Sequence, residues 1–209
     1  MSLANLILQG DRAHLVTDSG HYNMSDGKIG RLGAKMLVLP RQNIVLATTG
    51  ELHVAHIANI LRETDAEKLN QERFLPLLDK IIALSVSNYS LTHPSIVLLA
   101  GYLHAASRPI GGYFIADPGK PVTFVPMGAM LSPVLPWVNF SSLSDPSFNV
   151  YRDLVPLVKQ QRRHNFGTDE APQYAIAGDI DIVTVGRSGF FHKTLHTLPG
   201  EVGEAVLAA

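Results

Sequence analysis

The stretch Leu15-Val16-Thr17-Asp18-Ser19-Gly20, near the start of the chain, is the most informative part of the sequence. In it, a strand-like apolar run ends on a carboxylate. A second apolar run begins beside a cation, in Gly33-Ala34-Lys35-Met36-Leu37, and a third run ends at Gly50. Ser2 lies sixteen positions before Asp18. Few folds require polar residues at this spacing.

The rest of the chain arranges strands and helices in blocks. Apolar runs separated by turn residues predict four strands in the first fifty residues. Apolar residues at helical spacing predict helices over 52–64 and 71–88. Further strands are predicted over 95–100, 111–116, 122–125, 176–185 and 190–198. Such blocks favour antiparallel sheets covered by helices over a βαβ fold.

A third helix is predicted over 146–165. Asp145 provides a capping carboxylate at its start, and Pro146 suits the first helical position. Pro156 lies inside the helix, where a missing N–H should kink or split it. The segment 127–143, with Pro133 and Pro136 around the single tryptophan, is expected to be irregular.

Composition excludes several classes of protein. The chain has 209 residues, which favours one domain over 1–209. Its 17 basic and 18 acidic residues predict neither nucleic-acid nor acidic-membrane binding. Without cysteine it has no disulfide, thiolate zinc site or Cys nucleophile. The apolar stretch 96–116 contains His104 and Arg108, so it is a poor membrane helix. We expect a cytoplasmic protein without a signal peptide.

The spacing of Ser2, Asp18, Lys35 and Gly50 resembles the opening of proteasome β subunits and of their bacterial relatives, the heat-shock-locus V (HslV) peptidases. These are N-terminal-nucleophile (Ntn) hydrolases. The resemblance implies an α+β fold, a four-layer α-β-β-α sandwich of two antiparallel sheets. We therefore predict that two sheets pack face to face with the helices on their outer faces. We also predict that Gly50 ends a strand beside the N-terminal strand.

The resemblance also implies a site. Ser2 would be the nucleophile, and its own α-amine the general base. Lys35 would lower the pKa of the nucleophile, Asp18 would hold Lys35 in place, and the Gly50 N–H would stabilise the oxyanion. Without the resemblance, Asp18 and Lys35 also fit a purely structural ion pair, and Ser2 a leader residue. Met1 would block the amine, so the mechanism requires its removal.

A second matching segment lies near the C-terminus, in Ile176-Ala177-Gly178-Asp179-Ile180. In the resembling family, backbone carbonyls near this turn bind a sodium ion. The corresponding positions here are Gly178, Asp181 and Thr184, and no other cofactor is implied. Asp179 and Asp181 share one strand face, where they could bind a cation or form a solvent-facing pair.

One position departs from the family pattern. The family's assisting serine aligns with Ala129, in Gly128-Ala129-Met130. Two functions therefore stay open. The first is hydrolysis of amide bonds in peptides or unfolded proteins. The second is a catalytically inactive homologue that serves as an assembly subunit. In both cases a ring-like homo-oligomer is expected. The resemblance implies a ring, and the helix over 71–88, which is apolar on more than one side over Ile81 to Val86, predicts a second buried surface. The alternative is that the segment 127–143 folds over this helix within one chain.

The nine histidines of the chain include two closely spaced pairs. His53 and His56 lie three apart on a predicted helix, and His192 and His196 lie four apart on a predicted strand. Neither pair has a third ligand at a useful spacing, so the sequence does not predict zinc binding.

Overall fold

The structure is a computed structural model that describes residues 3–22, 28–163 and 176–203. The described strands are β1 (Ala4–Gln9), β2 (Arg12–Asp18), β3 (Gly20–Tyr22), β4 (Ile29–Leu32), β5 (Met36–Leu39), β6 (Ile44–Thr49), β7 (Ser95–Leu103), β8 (Arg108–Ala116), β9 (Thr123–Pro126), β10 (Ala129–Met130), β11 (Gly178–Gly186) and β12 (Gly189–Leu198). The α-helices are α1 (Val54–Glu63), α2 (Gln71–Phe74), α3 (Leu78–Asn88), α4 (Phe140–Leu143) and α5 (Val150–Arg163).

The strands form three antiparallel sheets. The first sheet has the order β10-β1-β2-β11-β12, and the second sheet has the order β5-β6-β7-β8-β9. Strands β3 and β4 form a separate two-stranded sheet. Most neighbours are joined by hairpins, but β2 pairs with β11, far along the chain. This long-range pairing brings both matching segments of the sequence, around Asp18 and around Gly178, to the same end of the first sheet.

The two five-stranded sheets share a core. Each sheet turns one set of alternate side chains toward the other, as the two-residue period of a strand requires. The buried residues between them are Ala4, Leu6, Ala13, Leu15, Val183 and Val185 from the first sheet, with Val45, Ala47, Leu98, Ala100 and Tyr102 from the second. Burying their apolar surface is the main force that holds the sheets together.

Helices α1 and α3 cover the outer face of the second sheet. Ile57, Ile60 and Leu61 form the buried stripe of α1. The helix predicted over 71–88 is interrupted, because Leu75–Leu77 forms a 3₁₀ turn around Pro76, between α2 and α3. Proline lacks the N–H that a continuous α-helix requires at that point.

Helix α5 covers the outer face of the first sheet and begins later than predicted, at Val150. Asn149, not Asp145, provides the cap, since its side-chain oxygen accepts from the N–H groups of Tyr151 and Arg152. The helix continues through Pro156 without a break. Pro156 is exposed, so the carbonyl that loses its partner there can be hydrated.

The predicted four-layer α-β-β-α sandwich is wrong as a description of this chain. The described residues contain more strand than helix, and their strands form three antiparallel sheets. On the first sheet the cover is only partly helical, because Leu131 and Leu135 pack there from irregular chain beside α5. Gly50 directly follows β6 (Ile44–Thr49) of the second sheet, and this strand is not in the same sheet as β1. The proline-rich sequence of the segment 127–143 did not indicate that its leucines are buried against the first sheet.

Within the described residues, no helix combines the length and the apolar character needed to cross a membrane.

Candidate active site

A buried ion pair lies at one end of the two large sheets. The Nζ atom of Lys35 is 2.7 Å from Oδ1 of Asp18, and both side chains are almost completely buried. Asp18 is the last residue of β2 in the first sheet, and Lys35 directly precedes β5 in the second. The pair therefore bridges the two sheets. Removing two charges from water is costly unless each is paired and hydrogen-bonded.

Two backbone groups complete the surroundings of Asp18. The N–H of Leu3 donates to Oδ1 at 3.0 Å, and the N–H of Ala177 donates to Oδ2 at 3.3 Å. Hydrogen bonds to an ionised acceptor are stronger than those between neutral groups. The carboxylate thus fixes three segments at one point: the start of β1, the Lys35 turn and the segment before β11.

The segment 176–180 wraps around the Asp18 turn. Gly20 N–H donates to the carbonyl of Ala177 at 3.1 Å, and Asp179 N–H donates to Ser19 Oγ at 2.8 Å. Gly178 has φ +75°, and a Cβ there would lie 2.3 Å from Ser19 Oγ. Glycine is required because the two segments approach so closely. The resemblance of this segment to a sodium-binding turn therefore coincides with a role in holding Asp18.

The three predicted sodium ligands do not converge. Gly178, Asp181 and Thr184 lie along β11, which pairs with β2 on one side and β12 on the other. A strand rises about 3.3 Å per residue, so the first and last of these carbonyls are roughly 20 Å apart. The carboxylate of Asp181 accepts from Thr194 Oγ1 and that of Asp179 from Thr197 Oγ1, each at 2.6 Å. The structure does not gather these residues around one ion.

Gly50 adopts a backbone conformation that suits glycine. Its φ is +102°, and a Cβ would lie 2.7 Å from Ser95 Oγ and 2.8 Å from the carbonyl of Pro94. Ser95 Oγ accepts from the N–H of Leu52 at 2.9 Å, so it holds the turn that follows Gly50. Because β5 pairs with β6 through Met36 and Ala47, Lys35 and Gly50 lie at the same end of that hairpin.

The carboxylate of Glu51 also holds the turn that follows Gly50. Glu51 accepts from the N–H groups of Thr92 and His93, at 2.8 and 3.0 Å, and contacts the ring of His93. The backbone N–H and the ring of His93, with the N–H of Thr92, lower the pKa of Glu51 to about 2. These hydrogen bonds hold residues 50–52 against the loop before β7.

An apolar groove of about 800 Å³ opens beside Gly50, and we call it the Gly50 groove. Its walls come from both large sheets and from the segment 127–140. The lining residues are Thr49, Gly50, Pro94, Ser95, Ile96, Tyr113, Ile115, Met127, Ala129, Met130, Leu131, Ser132, Val134 and Phe140. Three of its apolar side chains, Ile115, Met127 and Val134, are between 38% and 52% exposed. The groove can take an apolar group from solvent.

Ala129 lies in the wall of this groove, in β10, where it pairs with Ile7 of β1. It is 9% exposed and belongs to the core beneath α5. Ala129 provides no hydroxyl where the family pattern has serine.

Three histidines form a row behind Lys35. The rings of His21 and His53 are 5.3 Å apart, those of His53 and His56 are 5.4 Å apart, and His56 stacks on Tyr89 at 3.9 Å. Burial, and then the charge of Lys35, lower the pKa of His21 to about 4. Within the described residues, no three His, Cys, Asp or Glu side chains are placed to hold a metal ion.

The predicted site residues divide into two groups. Asp18 and Lys35 form the ion pair, and Gly50 lies at the same end of the molecule, whereas Ser2 lies outside the described residues. Their catalytic roles stay predictions. Sequence reasoning missed Ser19 and Ser95, which support Asp18 and Gly50. The available signal was a serine beside each predicted strand end.

Comparison with known proteins gives a fold and no family. No family model matches the chain, and no curated protein matches it. A crystallised mutant of Anbu from Hyphomicrobium sp. strain MC1 is similar in fold, with a TM-score of 0.65 and 11% identity over 96% of this chain and 89% of that one. Anbu is an HslV-like, proteasome-related protein. At this identity the likeness shows the fold alone. Assignment to the proteasome β-subunit and HslV family is therefore wrong, and a distant relation of fold replaces it.

Proposed function

We propose that this chain hydrolyses amide bonds with an N-terminal hydroxyl nucleophile, Ser2, after removal of Met1. One observation carries the proposal: the buried Lys35–Asp18 pair is hydrogen-bonded to the N–H of Leu3, the residue that follows Ser2. A buried ion pair is a poor way to stabilise a fold. Its position at the beginning of β1 fits a role in activating the adjacent residue.

Each group has a definite task in this mechanism. The free α-amine of Ser2, whose pKa is near ~8 in peptides, takes the hydroxyl proton. The Lys35 ammonium favours the ionised form of a nearby hydroxyl, because opposite charges attract more strongly in a buried site. Asp18 holds Lys35 in place through their 2.7 Å contact. The Gly50 N–H, fixed by the Ser95 and Glu51 contacts, stabilises the oxyanion.

The substrate class follows from the Gly50 groove. Its exposed side chains are apolar, so it favours an apolar side chain of an extended peptide. Such side chains are accessible in peptides and unfolded proteins and are mostly buried in folded ones. We propose peptides or unfolded proteins as substrates, bound beside the oxyanion donor.

A second function, that of a non-catalytic subunit in a homo-oligomer, is favoured by Ala129. Without a hydroxyl at that position the nucleophile lacks an assisting group, while the contacts of Asp18 still join the two sheets. In this function Leu84, an exposed leucine of α3, contacts a second copy of the chain.

The test is a peptidase assay with fluorogenic peptides that carry apolar side chains, before and after treatment with methionine aminopeptidase. Intact mass reports removal of Met1. We expect turnover only after trimming, and its loss in Ser2→Ala, which leaves the ion pair in place. Lys35→Ala should also abolish turnover, and Lys68→Ala, at an exposed pair, should not.

Three outcomes separate the two functions. Turnover by the untrimmed chain, or by trimmed Ser2→Ala, would refute the N-terminal nucleophile. A trimmed chain that is folded by circular dichroism but shows no turnover would support the subunit function. Because Lys35→Ala removes a buried charge, its fold must be checked in the same way before its activity is interpreted.

A further inference from the structure

A second cavity lies at the opposite end of the first sheet from Asp18. Its volume is about 880 Å³, and we call it the hairpin pocket, lined among others by Arg12, Tyr151, Arg187, Phe190, Phe191 and Lys193. His14 pairs with Thr184 and Asp18 pairs with Ile180 across β2 and β11. Four residues of strand, about 13 Å, therefore separate the floor of this pocket from the candidate active site.

The floor of the hairpin pocket is a buried polar network. Thr184 Oγ1 is 2.9 Å from His14 Nδ1 and 2.7 Å from the hydroxyl of Tyr151. His14 is 2% exposed and Thr184 is 5% exposed. Burial, with the charge of Arg12 as a smaller cause, lowers the pKa of His14 to about 4, so the ring is neutral at pH 7.

A neutral His14 ring donates a hydrogen bond from only one of its nitrogens, which limits the donors in the network. A threonine hydroxyl has one proton to donate. When His14 Nδ1–H donates to Thr184 and Thr184 in turn donates to Tyr151, the phenol proton of Tyr151 is available to another acceptor. Tyr151 and Thr184 both line the pocket. A ligand with an acceptor oxygen would complete the chain of hydrogen bonds.

The rim of the hairpin pocket is cationic. It contains Arg12, Arg187 and Lys193, against one acid, Asp11. The Arg12–Asp11 contact is long, at 3.6 Å, and exposed, so it neutralises little. Within residues 3–22, 28–163 and 176–203, Arg187 and Lys193 form no ion pair. The whole chain has net charge −1, so this local excess does not follow from composition.

One wall is aromatic and open to solvent. Phe191 is 53% exposed, and its ring lies 5.9 Å from that of Tyr151, edge to face. Lys193 Nζ lies 6.0 Å from the centre of the Tyr151 ring. An exposed phenylalanine beside unpaired cations leaves a face on which a planar ring can stack.

From this floor, rim and wall we propose that the hairpin pocket binds an organic anion with a planar ring. Its carboxylate or phosphate lies between Arg12, Arg187 and Lys193, and its ring lies on Phe191. The guanidinium groups bind either anion through paired N–H donors. This binding site does not depend on the proposed peptidase activity.

Isothermal titration of the full chain tests the proposal with two anions, adenosine monophosphate and N-acetylphenylalanine. Adenosine and N-acetylphenylalanine amide are their neutral controls. We expect at least one anion to bind with a Kd below about 1 mM, and its neutral control to bind about tenfold more weakly or not at all. Which anion binds distinguishes phosphate from carboxylate recognition.

Variants locate the binding. The double variant Arg187→Ala/Lys193→Ala should weaken binding about tenfold or more, while Arg73→Ala/Lys80→Ala, at exposed cations of α2 and α3, should leave it unchanged. Phe191→Ala should weaken binding of the ring-bearing anion and leave inorganic phosphate unaffected. The proposal is overturned if neither anion binds, if binding survives the double variant, or if inorganic phosphate binds as tightly as the ring-bearing anion.

Discussion

Lys35 reaches from the second sheet to Asp18 in the first, with 2.7 Å between Nζ and Oδ1 and almost no exposure of either side chain. Lys68 and Asp65 lie at the same distance, 2.7 Å, but their side chains are 65% and 70% exposed. The two pairs have the same distance between nitrogen and oxygen and differ in burial. They provide a controlled comparison of what burial does to an ion pair.

Replacing Lys35 with methionine should lower the free energy of unfolding by about 3 to 5 kcal/mol, because it leaves the Asp18 carboxylate buried without its cation. Lys68→Met should have no measurable effect. Urea denaturation followed by circular dichroism measures both. Lys35→Met/Asp18→Asn should recover part of the loss, and a double variant less stable than Lys35→Met would contradict this account.

Replacing Gly50 with alanine should destabilise the chain by more than about 3 kcal/mol, since positive φ and the contacts with Ser95 and Pro94 act together. Gly119 is the control, because it also has positive φ, +77°, but nothing lies within 4 Å of its added Cβ. Gly119→Ala should lose only about 1 to 2 kcal/mol. Equal losses in thermal or urea unfolding would show that crowding at Gly50 is unimportant.

Stability should fall as the pH is lowered from about 6.5 to 4. The pKa of His14 is 6.5 in the unfolded chain and about 4 in the folded one, so between these values the unfolded chain binds the proton and is favoured. His14 alone should account for about 2 to 3 kcal/mol between pH 7 and pH 4.5. Urea titrations at both pH values measure the difference.

His14→Gln should reduce that pH difference, because it removes the titrating ring. Thr184→Val is the control: it removes the hydrogen bond to His14 Nδ1 but keeps the ring, so it should lower stability at both pH values and preserve most of the difference. If His14→Gln left the difference intact, His14 would not be its source.

An acidic side chain in the Gly50 groove should weaken binding of apolar peptides. Met127 lines the groove, and Val38 lies elsewhere on β5, and both are 38% exposed. Met127→Glu should raise the Kd of a fluorescent apolar peptide about tenfold, by removing apolar contact area. Val38→Glu should leave it unchanged. Fluorescence anisotropy reports binding even in a chain without turnover, and equal effects would exclude the groove as the binding site.

Self-association should depend on the outer side of α3. Ile81, Ile82 and Val86 pack in the core, but Leu84 is 46% exposed. Segment 127–143 does not cover it, because its buried residues pack beneath α5. Leu84→Glu should therefore shift a homo-oligomer toward monomer in sedimentation velocity, whereas Lys159→Glu, at an exposed position of α5 on the other sheet, should not. A wild-type monomer at micromolar concentration would reject the assembly.

Local patterns in the sequence predicted local structure well. Apolar runs and turn residues located most strands of the two large sheets, and helical periodicity located α1 and α3. The predicted helix boundaries were wrong where a single residue sets them, at Pro76 and at Asn149. The small sheet of β3 and β4 escaped because its short strands, such as Gly20–Tyr22, have no apolar alternation.

Contacts between distant residues were less accessible. The proximity of Asp18 and Lys35 was suggested only by a family resemblance. The hydrogen bonds that the N–H groups of Ala177 and Asp179 donate to Asp18 and Ser19 join residues about 160 positions apart, which no local pattern reports. The network of His14, Thr184 and Tyr151 was missed for a similar reason, since its members lie on two strands and a helix.

Burial of the Asp18–Lys35 pair also affects how active and inactive chains of this fold can be distinguished by sequence. In a chain of this fold without the nucleophile, replacing either residue alone would still leave a lone charge between the sheets. The presence of both residues in a sequence therefore does not by itself report activity. Active chains must be recognised at other positions: a hydroxyl at position 2, and the residue that occupies position 129.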